Sequence, residues 1–486
     1  MSDPHRRRAR GARQEDEMAS ELERRDLLKG LGATLGGAAL GLGGAALGVA
    51  RDVAVAGVAE AQETAKGRVP DTPVKFGHIT IQSGPGAILG LPSLKGHTLA
   101  AEEINAAGGL LGRRKIETLT ADEAAGPEAT VKELKRMKLV EKIDYFSGVI
   151  AAHNQLAVGP VVEELKLLTI MTEGCIDKLF EIEVPNPQYL FGMTNILSAD
   201  GVTTALAVAR AWPEVKRIAV INPDYAFGRW FQLHFDAARE KLLPGSEIVS
   251  EVWAPFPNTT DFTSHITKTV AAKPDVVVTS MWGGMYVAFY KQALGQGLFR
   301  RARLAGNINF GVVPQAIGKD HPEGAIAGVH SNYHFTYAPA GASAANKRFV
   351  EAYQKRWSEY PSYAAEAAYT GLYLFKTAVE RAHKQAGGGW PEDDAVIRQL
   401  EGLSIEAPSG LVTIRKEDHR AYKDVKVGFS KNLADYPFAV WDPERIMTIP
   451  VGQMTAPPGW PKPGRGHNDP SATVNWIKTT WKKAGA

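Results

Sequence analysis

Val74-Lys75-Phe76-Gly77-His78-Ile79-Thr80-Ile81, followed by Gln82-Ser83-Gly84-Pro85-Gly86-Ala87-Ile88-Leu89-Gly90, is a β-branched run that breaks on a glycine-rich turn. Val, Ile, Thr and Phe suit a pleated strand, and clustered Gly and Pro end it. A helical period follows, with Leu94, Leu99, Ala100 and Ile104 on one side of Leu94–Asn105. Strand, glycine turn and helix in that order predict an α/β chain with a parallel sheet.

The alternation continues outward. Strands are expected at Ile116–Thr120, Tyr145–Val149 and Leu168–Met171, and helices at Glu128–Glu141 and Gln155–Leu165. The pattern then restarts. Strands are expected at Arg217–Ile221, Glu247–Trp253, Asp275–Ser280 and Arg303–Ala305, with helices at Phe231–Lys241, Phe262–Ala271 and Tyr286–Leu294. Two doubly wound parallel-sheet lobes of similar construction follow. Asn346–Trp357 and Glu366–Ala386 read as long amphipathic helices returning to one lobe. Residues 443–486 are rich in Pro, Gly and Trp and read as an extended tail over the surface.

The chain has 486 residues and a net charge of +3. That length suits two or three lobes, and the near balance of charge gives no footprint for nucleic acid. The single cysteine, Cys175, excludes an intramolecular disulfide and leaves the redox compartment open.

The first 61 residues read as a leader. Glu23-Arg24-Arg25-Asp26-Leu27-Leu28-Lys29 resembles the twin-arginine export signal, with Glu23 and Leu27 as departures from it. An uncharged, Gly- and Ala-rich stretch from Gly30 to Ala50 follows. It is long enough to span a bilayer, at about 20 residues, but its glycines give little hydrophobic drive. Small-residue cleavage sites stand at Ala54-Val55-Ala56 and Ala59-Glu60-Ala61, and the second is favoured. The competing reading is an uncleaved anchor.

The glycine turn is not a nucleotide site. Gly84-Pro85-Gly86-Ala87-Ile88-Leu89-Gly90 is one residue too long for the dinucleotide fingerprint, and Pro85 removes an amide. The next acidic residue, Asp122, lies about 38 positions beyond Gly84, where about 20 is expected for a ribose partner.

The same residues open a longer series of motifs. Ser83-Gly84-Pro85, Ala87 and Gly90 are followed by Gly96, Leu99-Ala100, Glu102, Ile104-Asn105-Ala106, Gly108-Gly109, Gly112 and Asp122. Asp224-Tyr225-Ala226-Phe227-Gly228, Asp261-Phe262, Pro274-Asp275-Val276, Phe349 with Tyr353, and Pro408-Ser409-Gly410 come later in the chain. In order and spacing, from Val74 to about Trp441, this resembles the leucine/isoleucine/valine-binding family of periplasmic ABC-importer receptors. The resemblance implies a type I periplasmic-binding fold with three hinge crossovers. It divides the chain into a signal (1–61), a linker (62–73), lobe 1 (74–194 with 331–405), lobe 2 (195–330 with 406–442) and the tail (443–486). It further implies a small-molecule ligand, no cofactor, no metal, no catalysis, and permease subunits of the importer as partners.

By position, the resemblance also implies a site. The serine that holds the carboxylate in amino-acid-binding relatives falls on Ala152, with His153 next. The family's carbonyl falls on Gly174 and its threonine on Cys175, beside Glu173, and its acidic residue falls near Asn307. Alanine donates no hydrogen bond and a thiol is a weak donor. Losing one polar partner of a buried ligand charge costs roughly 2–5 kcal/mol. The expectation is a ligand other than a standard amino acid: an amide, a ureide or an aromatic carboxylate. Aromatic walls are expected at Tyr225 or Phe227 and at Trp282, beside Gly283, with Leu89 as a further apolar wall.

Two other function classes fit parts of the sequence. A ligand-sensing receptor subunit would use the same fold with a signalling partner. A Cys175–His153–Glu173 nucleophilic triad would make the chain a hydrolase, but a lone cysteine in a small-residue loop is more often a packed apolar group. His330 and His334 lie in a β-like stretch, where residues four apart stand ~13 Å apart and share no metal. Asp418-His419 sits near an expected turn and is assigned no chemistry.

Overall fold

The computed structural model describes residues 67–173, 176–193, 197–306, 312–328, 343–463 and 471–485. The leader, Gly174, Cys175, Asn307, His330 and His334 lie outside the described residues.

The first lobe is built from β1 (Val74–Thr80), α1 (Ala87–Ala106), β2 (Ile116–Asp122), α2 (Pro127–Leu139), β3 (Tyr145–Gly148), α3 (Ala152–Glu164), β4 (Thr169–Met171) and β5 (Leu190–Gly192). A π-helical turn, Leu179–Glu183, joins the last two strands. All five strands are parallel, in the order β2-β1-β3-β4-β5. Helices cover the sheet, so β1 and β3 are buried almost throughout. That is why neither shows a strict alternation of apolar and polar residues.

The second lobe repeats the plan. It runs through α4 (Leu197–Ala211), β6 (Arg217–Asp224), α5 (Ala226–Leu242), β7 (Glu247–Pro255), α6 (Thr263–Ala271), β8 (Val276–Thr279), α7 (Gly283–Gly295), β9 (Arg303–Gly306), α8 (Val313–Ile317) and β10 (Ile326–Gly328). These strands pair in parallel in the order β7-β6-β8-β9-β10. The chain then returns to the first lobe with α9 (Ala344–Trp357), α10 (Tyr363–Ala386) and α11 (Asp393–Leu400). Helix α10 lies so close to α1 that a Cβ on Gly96 would stand 1.9 Å from the Ala365 carbonyl oxygen. Only glycine fits there.

Three short antiparallel strands follow: β11 (Ser404–Ala407), β12 (Gly410–Ile414) and β13 (Ala421–Tyr422). Their Ala407, Val412, Ile414 and Ala421 share the first lobe's core with Phe375 and Val396. The expected return to lobe 2 at residue 406 is therefore observed later, at Lys423 and Asp424. Strand β14 (Val425–Lys431) then pairs antiparallel with β10. β15 (Val440–Trp441) and β16 (Met447–Ile449) pair with β14.

The C-terminal segment differs from the expected extended tail. It contains β16 and a nine-residue helix, α12 (Ala472–Thr480), packed against α5. Ser471 caps this helix by accepting the Val474 amide, and Val474 and Ile477 are fully buried. The helix is short and lies next to a Pro- and Gly-rich stretch, so composition hid it. Helix starts also differ from expectation. α1 begins at Ala87, α3 at Ala152, α5 at Ala226 and α7 at Gly283, several residues before the apolar period becomes legible.

Candidate functional site

In a sheet ordered 2-1-3-4-5, connections leave the first and third strands in opposite directions and open a crevice at their carboxyl ends. In the first lobe that crevice lies between β1 and β3, and in the second between β6 and β8. Residues from both ends line one cavity of about 460 Å³. The first lobe contributes Ile81 and the Ser83–Gly86 turn, Glu123–Gly126, Ala151, His153 and Asn154. The second contributes Phe256, Pro257, Asn258, Trp282, Gly284 and Met285. The lobes touch here. The Gly284 amide donates to the Pro85 carbonyl at 3.0 Å. Gly283 has a φ of +58°, a left-handed conformation that suits glycine.

The first lobe's wall is main chain held by two acids. Asp122 accepts from the Gln82 amide (2.8 Å), the Ser83 hydroxyl (2.5 Å) and the Ala124 amide (2.9 Å), fixing the glycine turn. Burial works against its charge, but these donors hold its carboxyl below the ordinary value. Glu123 is 1% exposed. Its carboxylate accepts from the Ile150 amide (2.6 Å), the Ala151 amide (3.2 Å) and the Asn154 side-chain amide (2.7 Å). It thus caps α3, whose positive end favours an anion. Burial pushes Glu123 up to about 7, against the pull of those donors.

The second lobe's wall is aromatic. Tyr225 stacks on Phe256 with ring centres 4.1 Å apart and planes at 14°. Trp282 lies 5.7 Å from Phe256, and its Nε1–H donates to the Tyr225 hydroxyl at 2.9 Å. Burial raises the Tyr225 hydroxyl far above its ordinary value, so it stays protonated. Across the cleft, the His153 ring meets Tyr225 and Phe256 edge-on, at 5.5 and 5.8 Å. Burial lowers the His153 pKa, which leaves the ring neutral at pH 7. Its Nδ1 is buried without a hydrogen-bond partner among the described residues.

The structure thus brings two expected residues, His153 and Trp282, onto the cavity wall, with Gly283 at the adjoining lobe contact. Tyr225 backs the Phe256 ring. Phe227 is buried beneath Tyr225, with ring centres 6.0 Å apart. Leu89 and Ala152, at 3% and 1% exposure, belong to hydrophobic clusters and are not among the cavity-lining residues. Ala152 stands in the first turn of α3, not in an open loop. Glu173 is also off the wall. It is buried, hydrogen-bonds the buried Tyr363 hydroxyl, and its main-chain carbonyl accepts from Gln155. That places it in the interior behind the cleft.

Sequence reasoning missed Glu123, Phe256 and Asn258. Glu123 directly follows Asp122 at a strand's carboxyl end, and that position was its available signal. Phe256 stands in a Phe-Pro-Asn stretch between β7 and α6, with no periodicity to mark it. Among the described residues no group of His, Cys, Asp and Glu is arranged to hold a metal, and no helix is long and apolar enough to cross a membrane.

The sequence profile described as periplasmic binding protein matches residues 73–431. A Leu/Ile/Val-binding protein homolog 4 from Brucella melitensis is 26% identical over 358 residues, covering 72% of this chain and 82% of the relative. A solute binding protein of an ABC transporter from Rhodopseudomonas palustris BisB5, solved in complex with 3,4-dihydroxybenzoic acid, superposes with a TM-score of 0.65. It is 23% identical, and the match covers 78% of this chain and 98% of that one. A branched-chain amino acid transporter substrate binding protein from Streptococcus pneumoniae, in complex with isoleucine, superposes with a TM-score of 0.64 at 20% identity, covering 77% and 99%.

Proposed function

The chain belongs to the periplasmic binding protein family, and from that premise we propose an aromatic carboxylate as its ligand. It is a substrate-binding protein of an ABC transporter, periplasmic in location, and not an enzyme. Delivery to the importer's permease subunits after hinge closure is the partner step this reading assigns.

One observation carries the ligand class: the bank formed by Tyr225, Phe256 and Trp282, with His153 edge-on across the cleft. A flat ring gains offset stacking from such a bank beyond its buried area, about 0.5–1.5 kcal/mol per pair. Among the described residues, those that line the cavity include no Lys or Arg. An anionic group would therefore be held by the N-terminal ends of α1 and α7, which meet at the cavity, since Glu123 already occupies that of α3. His153 adds its ring edge on the opposite side of the cleft. An α-ammonium group finds a poorer welcome. Glu123, the carboxylate on the wall, is already engaged by three donors. An amide or ureide would use the same polar groups but leave the aromatic bank without a ring to stack on. The 3,4-dihydroxybenzoate held by the Rhodopseudomonas relative supports the class.

The test is a thermal-shift panel of benzoate, 3,4-dihydroxybenzoate, benzamide, urea derivatives and leucine. A ligand at 100 times its Kd adds about 2.7 kcal/mol of apparent stability. Shifts confined to the aromatic acids are expected, and a shift with leucine alone would overturn the assignment. Export by the twin-arginine route is the matching proposal for the leader, carried by Arg24-Arg25. Replacing both arginines with lysine is expected to leave the precursor in the cytoplasm, as read by fractionation.

A further inference from the structure

The family match ends at residue 431, yet the chain beyond it is tied into both lobes. On the second lobe, His234 of α5 donates from Nδ1 to the Trp230 carbonyl at 2.7 Å. Its Nε2 is then an acceptor, and the Ser471 hydroxyl donates to it at 2.7 Å. The Lys241 side chain donates to the Lys478 carbonyl (2.9 Å), and the Ala484 amide to the Lys241 carbonyl (2.7 Å). Helix α12 is thus fastened to α5 along its length.

On the first lobe, the Ala472 amide donates to the carboxyl of Glu181 at 2.8 Å. Glu181 belongs to the π-helical turn between β4 and β5 and is 2% exposed. The Lys462 ammonium donates to the Pro185 carbonyl in the same connection. Arg415, at the end of β12, donates to the Ala456 carbonyl at 3.4 Å. The adjacent residues Ser471 and Ala472 therefore bond to opposite lobes.

A lobe rotation that moves the Glu181 turn away from His234 stretches one of these two bonds. We propose that the C-terminal segment is a hinge strap: Ser471 and Ala472 pin His234 to Glu181, limit opening of the ligand-free protein and thereby strengthen ligand binding. The reason is population. Apparent affinity falls by the fraction of molecules outside the binding-competent arrangement, and a strap that restricts opening raises that fraction. The proposal rests on the reading of the chain as a hinge-closing binding protein.

The test compares wild type with Glu181→Ala/Ser471→Ala, with Lys462→Met and with Thr479→Ala. Thr479 bonds only within its own helix, so it serves as the control. Small-angle X-ray scattering of the ligand-free proteins reads the opening directly and needs no ligand. The double variant is expected to show a larger radius of gyration than wild type, and Thr479→Ala the same radius. Lys462→Met removes the tether to Pro185 and the positive charge that faces Glu181, leaves the Ser471 and Ala472 bonds in place, and is expected to open less, in the same direction. It keeps the test alive if circular dichroism shows the double variant unfolded. Benzoate titration is expected to weaken by about three- to tenfold in the opened variant. Scattering curves of both strap variants that superpose on wild type would overturn the strap. Failure of every protein to bind benzoate, with scattering as expected, would overturn the ligand class and leave the strap standing.

Discussion

The two lobes share one strand order, yet they furnish the cleft with different chemistry. The first presents backbone and small residues, held by the half-buried Asp122 and the buried Glu123. The second presents the rings of Phe256 and Trp282, with Tyr225 behind them. The topology fixes where the crevice lies in each lobe, while the side chains at the strand ends decide what it binds. A cavity between two such walls can be rigid on one side and selective on the other.

If that division is right, the first lobe's residues govern stability and the second lobe's govern affinity. The largest effect is expected from Glu123→Ala. It leaves the Ile150 and Ala151 amides and the Asn154 side chain without their acceptor, at about 2–4 kcal/mol of folding stability. Urea unfolding measures it, and a variant as stable as wild type would break the comparison.

The pH dependence sharpens it. The folded-state value of Glu123, about 7, lies above the ordinary 4.5. Its contribution is fully present below pH 4.5 and is lost as pH rises to 7. The loss is at most about 3 kcal/mol. The stacked pair His78 and His97 acts in the opposite sense. Burial lowers both, His97 to about 4, so their contribution is present above pH 6.5 and is lost as pH falls through the lowered values. Subtracting the Glu123→Gln profile from wild type cancels the histidines. The difference is expected to fall steadily between pH 4.5 and 7.

Trp282→Ala removes a ring and the donor to Tyr225. We expect about 2–3 kcal/mol of lost benzoate affinity, roughly a hundredfold, by calorimetry, with a smaller change in urea midpoint than Glu123→Ala gives. The smallest effect is expected from His153→Phe. It keeps the edge-on ring and should change benzoate affinity by less than about 1 kcal/mol.

The parallel frame was legible because buried parallel strands must be continuous apolar runs, as in Tyr145–Gly148 and Val276–Thr279. The motif order from Ser83 to Gly410 carried the family. The antiparallel strands β11–β16 were not read. Five of them span two to five residues, too few to show a period, and the seven-residue β14 has no helix next to it to mark a β-α unit. The site was legible where a family position and an aromatic coincided, as at Trp282. It was illegible where function depends on what a side chain faces. Ala152 occupies a family site position and Glu173 stands next to one, but both lie in the interior. Glu123 and Phe256 reach the cavity from stretches without a pattern.

Isothermal titration of benzoate and of leucine into the mature protein tests the central claim most directly. The account predicts one-to-one binding of benzoate and no heat from leucine. Leucine binding more tightly than benzoate would contradict it, because the aromatic bank would then not be what selects the ligand.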